Sequence, residues 1–458
     1  MKRVAVLAAL AGCYSMAPKY ERPAAPVPQA LPGADGAGSG SIKDLAWSAF
    51  VKEPKLRQIV DHALANSRTL RQALTNVQIA RGQYRVQHAG QYPSIDGTIG
   101  VVNTNAFEGF PGAETEQFTE YSATGGMASW EIDLFGRLKS LSDAKFQAYL
   151  QSGENARAAR VTLIAETANA YVALAADKSR LAVALETMAS SKRTMELTDA
   201  LVGGGTSNRT DYYQAATVFQ QARADVASLT AAIAQDHDAL DLIAGGHVDD
   251  SLLPDALPEQ LDWFAEVPVG LSSNVLLERP DVLAAEHALQ SANANIGAAR
   301  AALYPSITLT ASGGIASAAL GALFSGPSLI WTLAPSLNIP LFHGGALRAG
   351  LDLAWSQKAL SIAGYELAIQ TAFKEVADAL ATRGTIKEQL DAQTALVDAS
   401  QKAFDIAQAR YKAGVDPFLT TLVAERALYI AKDSLLATQL AALANRVELY
   451  RALGGGGN

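Results

Sequence analysis

Gln91-Tyr92-Pro93-Ser94-Ile95 returns about 210 residues later as Leu303-Tyr304-Pro305-Ser306-Ile307. Two further matches keep the same order and nearly the same offset. Ile132-Asp133-Leu134-Phe135-Gly136 returns as Ile339-Pro340-Leu341-Phe342-His343-Gly344. Leu201 to Tyr213, containing Gly203-Gly204-Gly205-Thr206, returns as Arg410 to Leu422, containing Gly414-Val415. Three ordered matches at one offset indicate a duplication, and a period this long is a half-domain rather than a solenoid unit. Each half reads alike: a helix ending before the Tyr-Pro-Ser-Ile motif, two strand-patterned segments, a very long helix, a tight turn and a second long helix.

The helical pattern is strong. Between Gly136 and Val202 there is no proline and one internal glycine, Gly153. Leu163, Ala170, Leu174, Leu181, Leu185 and Met188 fall three, four or seven residues apart. Ala346 to Ala413, Asp211 to Ala244 and Phe418 to Leu453 read the same way. A helix of about 65 residues is roughly 100 Å long at 1.5 Å per residue. Alanine on both faces lets such helices approach on more than one side, as in a curved wall. A solid antiparallel bundle satisfies the same pattern.

The strand-patterned segments alternate. Ile95, Gly97, Ile99 and Val101 alternate with Asp96, Thr98 and Gly100, and Ala128, Trp130, Ile132 and Leu134 with Ser129, Glu131 and Asp133. In the second half Ile307, Leu309 and Ala311 alternate with Thr308, Thr310 and Ser312. Leu333, Leu337, Ile339 and Leu341 alternate with Thr332, Ser336 and Asn338. Tyr92, Phe107, Phe118, Tyr121, Tyr304, Phe324 and Trp331 sit near the expected strand ends, where an aromatic girdle would lie. Two hairpins on a soluble domain give the same alternation as two membrane hairpins. Four strands do not close a membrane barrel, which needs at least about eight, and no sheet edge stays open in lipid. If these strands span a membrane, several chains share one barrel and the protein is a homo-oligomer.

Composition narrows the classes. The 458 residues are 49% hydrophobic and 18% charged, enough for a large core and unlike a disordered chain. Net charge is −8 and no basic run occurs, so a duplex nucleic-acid binder is excluded. Past the N-terminus no run of apolar residues reaches transmembrane-helix length.

The chain begins Met1-Lys2-Arg3, an apolar run Val4 to Leu10, then Ala11-Gly12-Cys13. This reads as a signal peptide over 1–12 with a lipobox, making Cys13 the acylated first residue of the mature chain. Cys13 is the single cysteine, so neither an internal disulfide nor a thiolate cluster is expected. Tyr14 rather than an aspartate follows it, which fits the outer membrane. Pro18, Pro23, Pro26, Pro28 and Pro32 mark an extended strap. The expected divisions are 1–12 signal peptide, 13–41 lipid-anchored strap, 42–246 first repeat, 247–275 linker, 276–453 second repeat and 454–458 flexible tail.

The motifs carry a resemblance over nearly the whole chain. Arg279-Pro280-Asp281-Val282-Leu283-Ala284-Ala285-Glu286, running on to Asn293-Ala294-Asn295-Ile296-Gly297-Ala298-Ala299-Arg300 and Leu303-Tyr304-Pro305-Ser306-Ile307, resembles a block of the TolC-type outer-membrane factors. Ala372-Phe373-Lys374-Glu375-Val376-Ala377-Asp378-Ala379-Leu380 and Arg410-Tyr411-Lys412-Ala413-Gly414-Val415 resemble two more. Cys13 with Met16-Ala17-Pro18-Lys19-Tyr20-Glu21-Arg22-Pro23 is similar to the lipoprotein, NodT-like branch that serves RND efflux pumps. The resemblance implies a mainly α fold with a small membrane β-barrel part. Long antiparallel helices then form a trimeric α-barrel tunnel, and four strands per chain build a shared twelve-strand outer-membrane barrel. It implies a passive exit duct anchored by lipid, extending into the periplasm, partnered by a periplasmic adaptor and an inner-membrane RND transporter. A duct for type I protein secretion or for metal efflux is the alternative within the family, and a purely periplasmic lipid-anchored scaffold is the alternative outside it.

The same resemblance assigns roles to the two turns, Gly203 to Asn208 and Gly414 to Pro417. Gly205, Thr206, Gly414 and Val415 match adaptor-contacting helix tips. Leu419 matches a gate leucine. Val423 falls where the family carries an acidic ring, so an apolar constriction replaces charge there. Asp416 and Asp211 lie near the tips, where unpaired aspartates would repel one another and favour cations. Tyr411 and Lys412 are candidates for links between helices. No enzyme motif occurs: no HExxH, GxSxG elbow, P-loop or dinucleotide fingerprint. Asp236-His237-Asp238 and His247-Val248-Asp249-Asp250 carry metal-ligand chemistry but read as solvated helix and loop residues, so no metal and no cofactor beyond the covalent lipid is expected.

Overall fold

The computed structural model describes residues 15–31, 45–107, 115–205, 207–267 and 272–456. Cys13 and Thr206 lie outside the described residues. In chain order the elements are α1 (Trp47–Phe50), α2 (Pro54–Asn66), α3 (Arg68–Ala89), β1 (Asp96–Phe107), β2 (Thr115–Ile132), α4 (Arg137–Gly203), α5 (Arg209–Ala244), α6 (Pro280–Ala301), β3 (Ser306–Ser317), β4 (Leu329–Asn338), α7 (Ala346–Lys412) and α8 (Phe418–Ala452). Helices α4 and α7 are each 67 residues long. The four long helices lie within two residues of the spans that periodicity predicts. Among the described residues no helix is long and apolar enough to cross a membrane.

The chain divides into two compact units. The first comprises Met1–Ala24, Asn76–Gly153 and Ala284–Glu366, and it holds the sheet. Its four strands are antiparallel in the order β1-β2-β3-β4, so among the described residues β1 and β4 each pair on one side only. Directly paired residues share a face, and the register builds one apolar face across all four strands. Ile99, Ala123, Ile315 and Leu329 form one row, and Ile132, Ile307 and Leu337 another. The opposite face carries small and polar residues, with Thr98, Thr124 and Gly314 in one row and Glu131, Thr308 and Ser336 in another, but also Val102, Phe118 and Ile330. Every residue of β4 is exposed, including Trp331 at 76% and Leu333 at 59%.

Strand β2 carries an irregularity that keeps this face intact. Met127 pairs with Ala311, and Trp130 pairs with Leu309. Three steps along β2 thus match two along β3, a β-bulge. Without it Trp130 and Ile132 would fall on the polar face, because side chains alternate with period two. Ser129 absorbs the extra residue at φ +51, with its N–H donating to Thr310 Oγ1 at 3.3 Å. The sequence expectation of strand residues at Leu134, Ile339 and Leu341 is corrected: β2 ends at Ile132 and β4 at Asn338. Strand β2 also begins far earlier than the alternation indicated, at Thr115.

In the same unit the strap residues lie along α6. Glu286 accepts from Tyr20 Oη (3.0 Å) and from both Arg22 Nε (2.9 Å) and Nη2 (2.5 Å). Asn293 Nδ2 donates to Pro18 O (2.8 Å), and Arg300 Nη1 to Met16 O (3.2 Å). A Cβ at Gly297 would fall 2.6 Å from Ala17 N, so only glycine permits this approach. Positions 286, 293, 297 and 300 share one face of α6. The two blocks of sequence that carried the resemblance most clearly are therefore partners. Burial beside the Glu286 carboxylate pushes the Tyr20 hydroxyl up to about 12.

The second unit comprises Ala25–Thr75, Glu154–Leu283 and Leu367–Asn458. Leu56, Ile59, Val60 and Ala63 form the fully buried stripe of α2, which starts with Pro54 in the first helical turn. Phe50 stacks on Tyr450 (4.1 Å between centroids) and on Phe264 (5.2 Å). Arg279, 4% exposed, pairs with Asp281 and Glu375 at 2.7 Å each, and Arg451 pairs with Glu375 at 3.0 Å. This ionic group joins the start of α6 to α7 and α8, where an unpaired buried charge would be strongly destabilising.

Candidate functional site

Both helix reversals in the second unit rest on one left-handed glycine. At the first, Gly204 N–H donates to Ala200 O (3.0 Å), Gly205 N–H to Val202 O (3.1 Å) and Ser207 N–H to Leu201 O (3.3 Å). Gly205 has φ +71, a conformation that a side chain disfavours and glycine does not. No atom lies within 4 Å of a Cβ built there, so the demand is for conformation, not space. Helix α5 then opens with Asn208 as N-cap, its side chain accepting from Thr210 N–H. Asp211 stands in the first turn, where it complements the helix dipole, and accepts from Ser207 Oγ at 2.8 Å.

At the second reversal Gly414 has φ +70. Gly414 N–H donates to Tyr411 O and Val415 N–H to Arg410 O, both at 2.9 Å. Here a side-chain clamp is added. Arg410 Nε and Nη2 donate to the two carboxylate oxygens of Asp416 at 2.6 and 2.8 Å. These hydrogen bonds hold the Asp416 carboxyl below its ordinary value. Pro417 caps α8 without a side-chain bond.

Four helices meet behind the turns. Ala215, Phe418 and Leu422 form a buried cluster, with Met195, Val218 and Tyr411 packed against it. The Tyr411 ring lies 5.4 Å from that of Phe418, and its buried hydroxyl has no hydrogen-bond partner among the described residues. Tyr411 therefore joins α7 to α8 through its ring, not through a polar link. Lys412 Nζ stays on its own helix, donating to Gln408 Oε1 at 3.2 Å. Asp416 is ion-paired with Arg410, whereas the partner of Asp211 is the neutral Ser207 hydroxyl. Thr206 lies outside the described residues.

Helix α8 has two faces here. Phe418, Leu422 and Glu425 are buried, whereas Leu419 (52%), Val423 (59%) and Ile430 (64%) are exposed. The spacing of four and seven puts these three on one apolar stripe. Val415, at the turn itself, is exposed as well. Three features escaped sequence reasoning. Glu425 is buried with its Oε1 unpartnered among the described residues, and burial pushes its carboxyl up against a partly offsetting Ser190 hydrogen bond. Tyr429 Oη donates to Asp225 Oδ2 at 2.9 Å, and Lys432 Nζ to Glu186 Oε2 at 2.9 Å. These tie α8 to α5 and α4 through residues some two hundred positions apart, which no local pattern signals.

With a duplicated helical hairpin and an apolar-faced sheet in place, likeness to known proteins decides the family. The family model described as outer membrane efflux protein matches residues 59–246 and 271–455. The chain belongs to the outer membrane efflux protein family. A relative of this family, the solvent efflux pump outer membrane protein SrpC of Pseudomonas putida, is 41% identical over 98% of this chain and 96% of its own. Outer membrane protein OprJ of Pseudomonas aeruginosa is 40% identical over 98% of this chain and 95% of its own. Among solved structures, the open-state MtrE outer membrane channel of Neisseria gonorrhoeae has a TM-score of 0.84 at 36% identity. It covers 97% of this chain and 99% of that one. A membrane protein from Pseudomonas aeruginosa reaches 0.90 at 39%, covering 96% and 98%. This chain is an outer-membrane component of an efflux pump.

Proposed function

We propose that three copies of this chain form the passive exit duct of a tripartite RND-type pump. The sheet supports this reading most directly. It offers one apolar face and two edges that, among the described residues, are paired on one side only, on a chain of the outer membrane efflux family. In lipid such edges must be closed, and three chains supply twelve strands for one barrel. The long hairpins then enter the periplasm, with Gly205, Thr206, Gly414 and Val415 presented to an adaptor and an inner-membrane transporter supplying the energy. Acylation of Cys13 anchors the chain, and the docking of strap residues 16–22 on α6 begins three residues beyond that anchor.

Leu419 and Val423 form the constriction at the entrance. Their exposed apolar stripe on α8 and the pairing of Asp416 with Arg410 support an entrance closed by apolar contact rather than charge. Leu419→Ala should raise single-channel conductance in planar bilayers, and unchanged conductance would remove Leu419 from the gate. Relatives named for solvent, toluene and antibiotic efflux point to small toxic solutes as cargo. Deleting the gene, in a strain lacking other outer-membrane efflux genes, should raise retention of toluene, dyes and antibiotics, and the intact gene should reverse it. Unaltered retention would overturn the reading.

A further inference from the structure

The end of α5 carries a second cluster, unrelated to the turns. Gly245 closes the helix at φ +78, and Gly246 N–H donates to Asp241 O at 3.0 Å. A Cβ at Gly245 would fall 2.4 Å from Asn66 O, so the course of this reversal is fixed against the end of α2. The reversal carries His247 back over the last turns of α5, where His237 and Asp241 stand four residues apart on one face. His247 Nδ1 lies 3.0 Å from Asp241 Oδ2, and His237 Nε2 lies 3.6 Å from Asp241 Oδ1. One ligand atom from each of the three lies within 4.8 Å of the others. Asp250 Oδ1 is 4.0 Å from His237 Nε2. Val248 N–H donates to Asp241 Oδ1 at 2.8 Å, orienting the carboxylate from behind as outer-shell partners of metal ligands do.

We propose that His237, Asp241 and His247 form a binding site for a divalent transition metal of the Zn²⁺ type, completed by Asp250 or water. The donor set selects the class. Two imidazoles with a carboxylate suit zinc and its neighbours, whereas calcium and magnesium call for oxygen alone. Donors about 2.0–2.1 Å from a tetrahedral ion lie roughly 3.3 Å apart. The Asp241 distances of 3.0 and 3.6 Å run to different carboxylate oxygens, so the carboxylate must turn and the imidazoles draw together for one oxygen to join both rings on the ion. The exposed His247 ring has room to do so. The ion would fasten the end of α5 to the loop at 247–250 and thereby to the segment joining the two repeats. It is a structural ion, separate from any cargo.

The test uses the untagged full chain, stripped with chelator and titrated with Zn²⁺ by calorimetry. One Zn²⁺ per chain is expected, with affinity at least tenfold weaker in both His237→Ala and His247→Ala and unchanged in His343→Ala. Zn²⁺ should raise the Tm of the unsubstituted protein and leave that of the two variants unmoved, while Mg²⁺ should not bind. The proposal fails if no Zn²⁺ binds in the micromolar range, if both variants bind like the unsubstituted protein, or if His343→Ala abolishes binding. Equal binding of Mg²⁺ would overturn the assignment to a transition metal.

Discussion

The two turns occupy equivalent places in the two repeats, share one left-handed glycine each, and are held differently. The first depends on three glycines, the Asn208 side-chain cap and a serine–aspartate bond of 2.8 Å. The second adds a bidentate arginine–aspartate clamp, and the aromatic pair of Tyr411 and Phe418 stands directly behind it. Both reversals use side-chain hydrogen bonds, but only the second adds an ion pair across the turn. Duplicated sequence thus conserved the bend and diverged in what holds it. The second turn is the one that carries the apolar stripe of Leu419 and Val423. An entrance that opens there would have to release side-chain contacts that the first turn never makes.

The sharpest way to break this contrast is Phe418→Ala. Emptying the shared cluster should cost about 3 kcal/mol. In limited proteolysis, cuts near 413–416 should then appear before cuts near 203–208. Next is Glu425→Gln. Burial raises the folded pKa of this carboxyl above its unfolded value, so the ionised form opposes folding as pH rises past the ordinary glutamate range. Replacement should stabilise the protein by about 1 kcal/mol at neutral pH. The gain in Tm should be larger at pH 8 than at pH 5, and equal gains would show that Glu425 stays un-ionised or paired. Asn208→Ala tests the first turn alone. A lost N-cap of about 1 kcal/mol should speed amide exchange at Thr210 and Asp211 about fivefold and leave the second turn unaffected.

The smallest effect is acid loosening of the second turn. Arg410 holds the Asp416 carboxyl below its ordinary value, so the clamp is complete above the normal aspartate pKa of about 4. It is lost as pH falls through the lowered value. Exchange at Gly414 and Val415, corrected for intrinsic rates, should rise in that acid range, and Arg410→Ala should abolish the step. Because the pair is exposed, the change should be slight.

Much of this was legible in advance. Long stretches without proline, with apolar residues three and four apart, fix helices whatever the tertiary context, and α4 and α7 follow directly. Glycines at 205 and 414 announce reversals for the same local reason. Strand β2 was legible only at its end. Its Thr115–Met127 portion is mostly Thr, Glu, Gly and other small or polar residues, with Phe118 and Tyr121 on opposite faces, so it shows no hydrophobic alternation. The entrance residues were placed but not their bonds. Asp416 looked like a free charge because Arg410 lies six positions away across a turn, and Tyr411 looked like a hydrogen-bonding link because nothing local reveals that its ring is packed. The pairing of the strap with Glu286 and Asn293, and of His237 with His247, depends on chain reversal and long-range contact, which periodicity does not encode.

Ser129 in the β2 bulge behaves toward the alternation of side chains as an inserted nucleotide behaves toward codons. Upstream of it, the β2 residues on the apolar face occupy odd positions; downstream, even ones. Either half would be out of frame without the other's compensation. Losing that single residue would therefore not remove one contact. It would invert the sidedness of everything between it and the nearer strand end, sending Trp130 and Ile132 to the polar side and Glu131 to the apolar one. Length changes in this strand are consequently tolerable in steps of two, and a change of one survives only where a second bulge restores the frame.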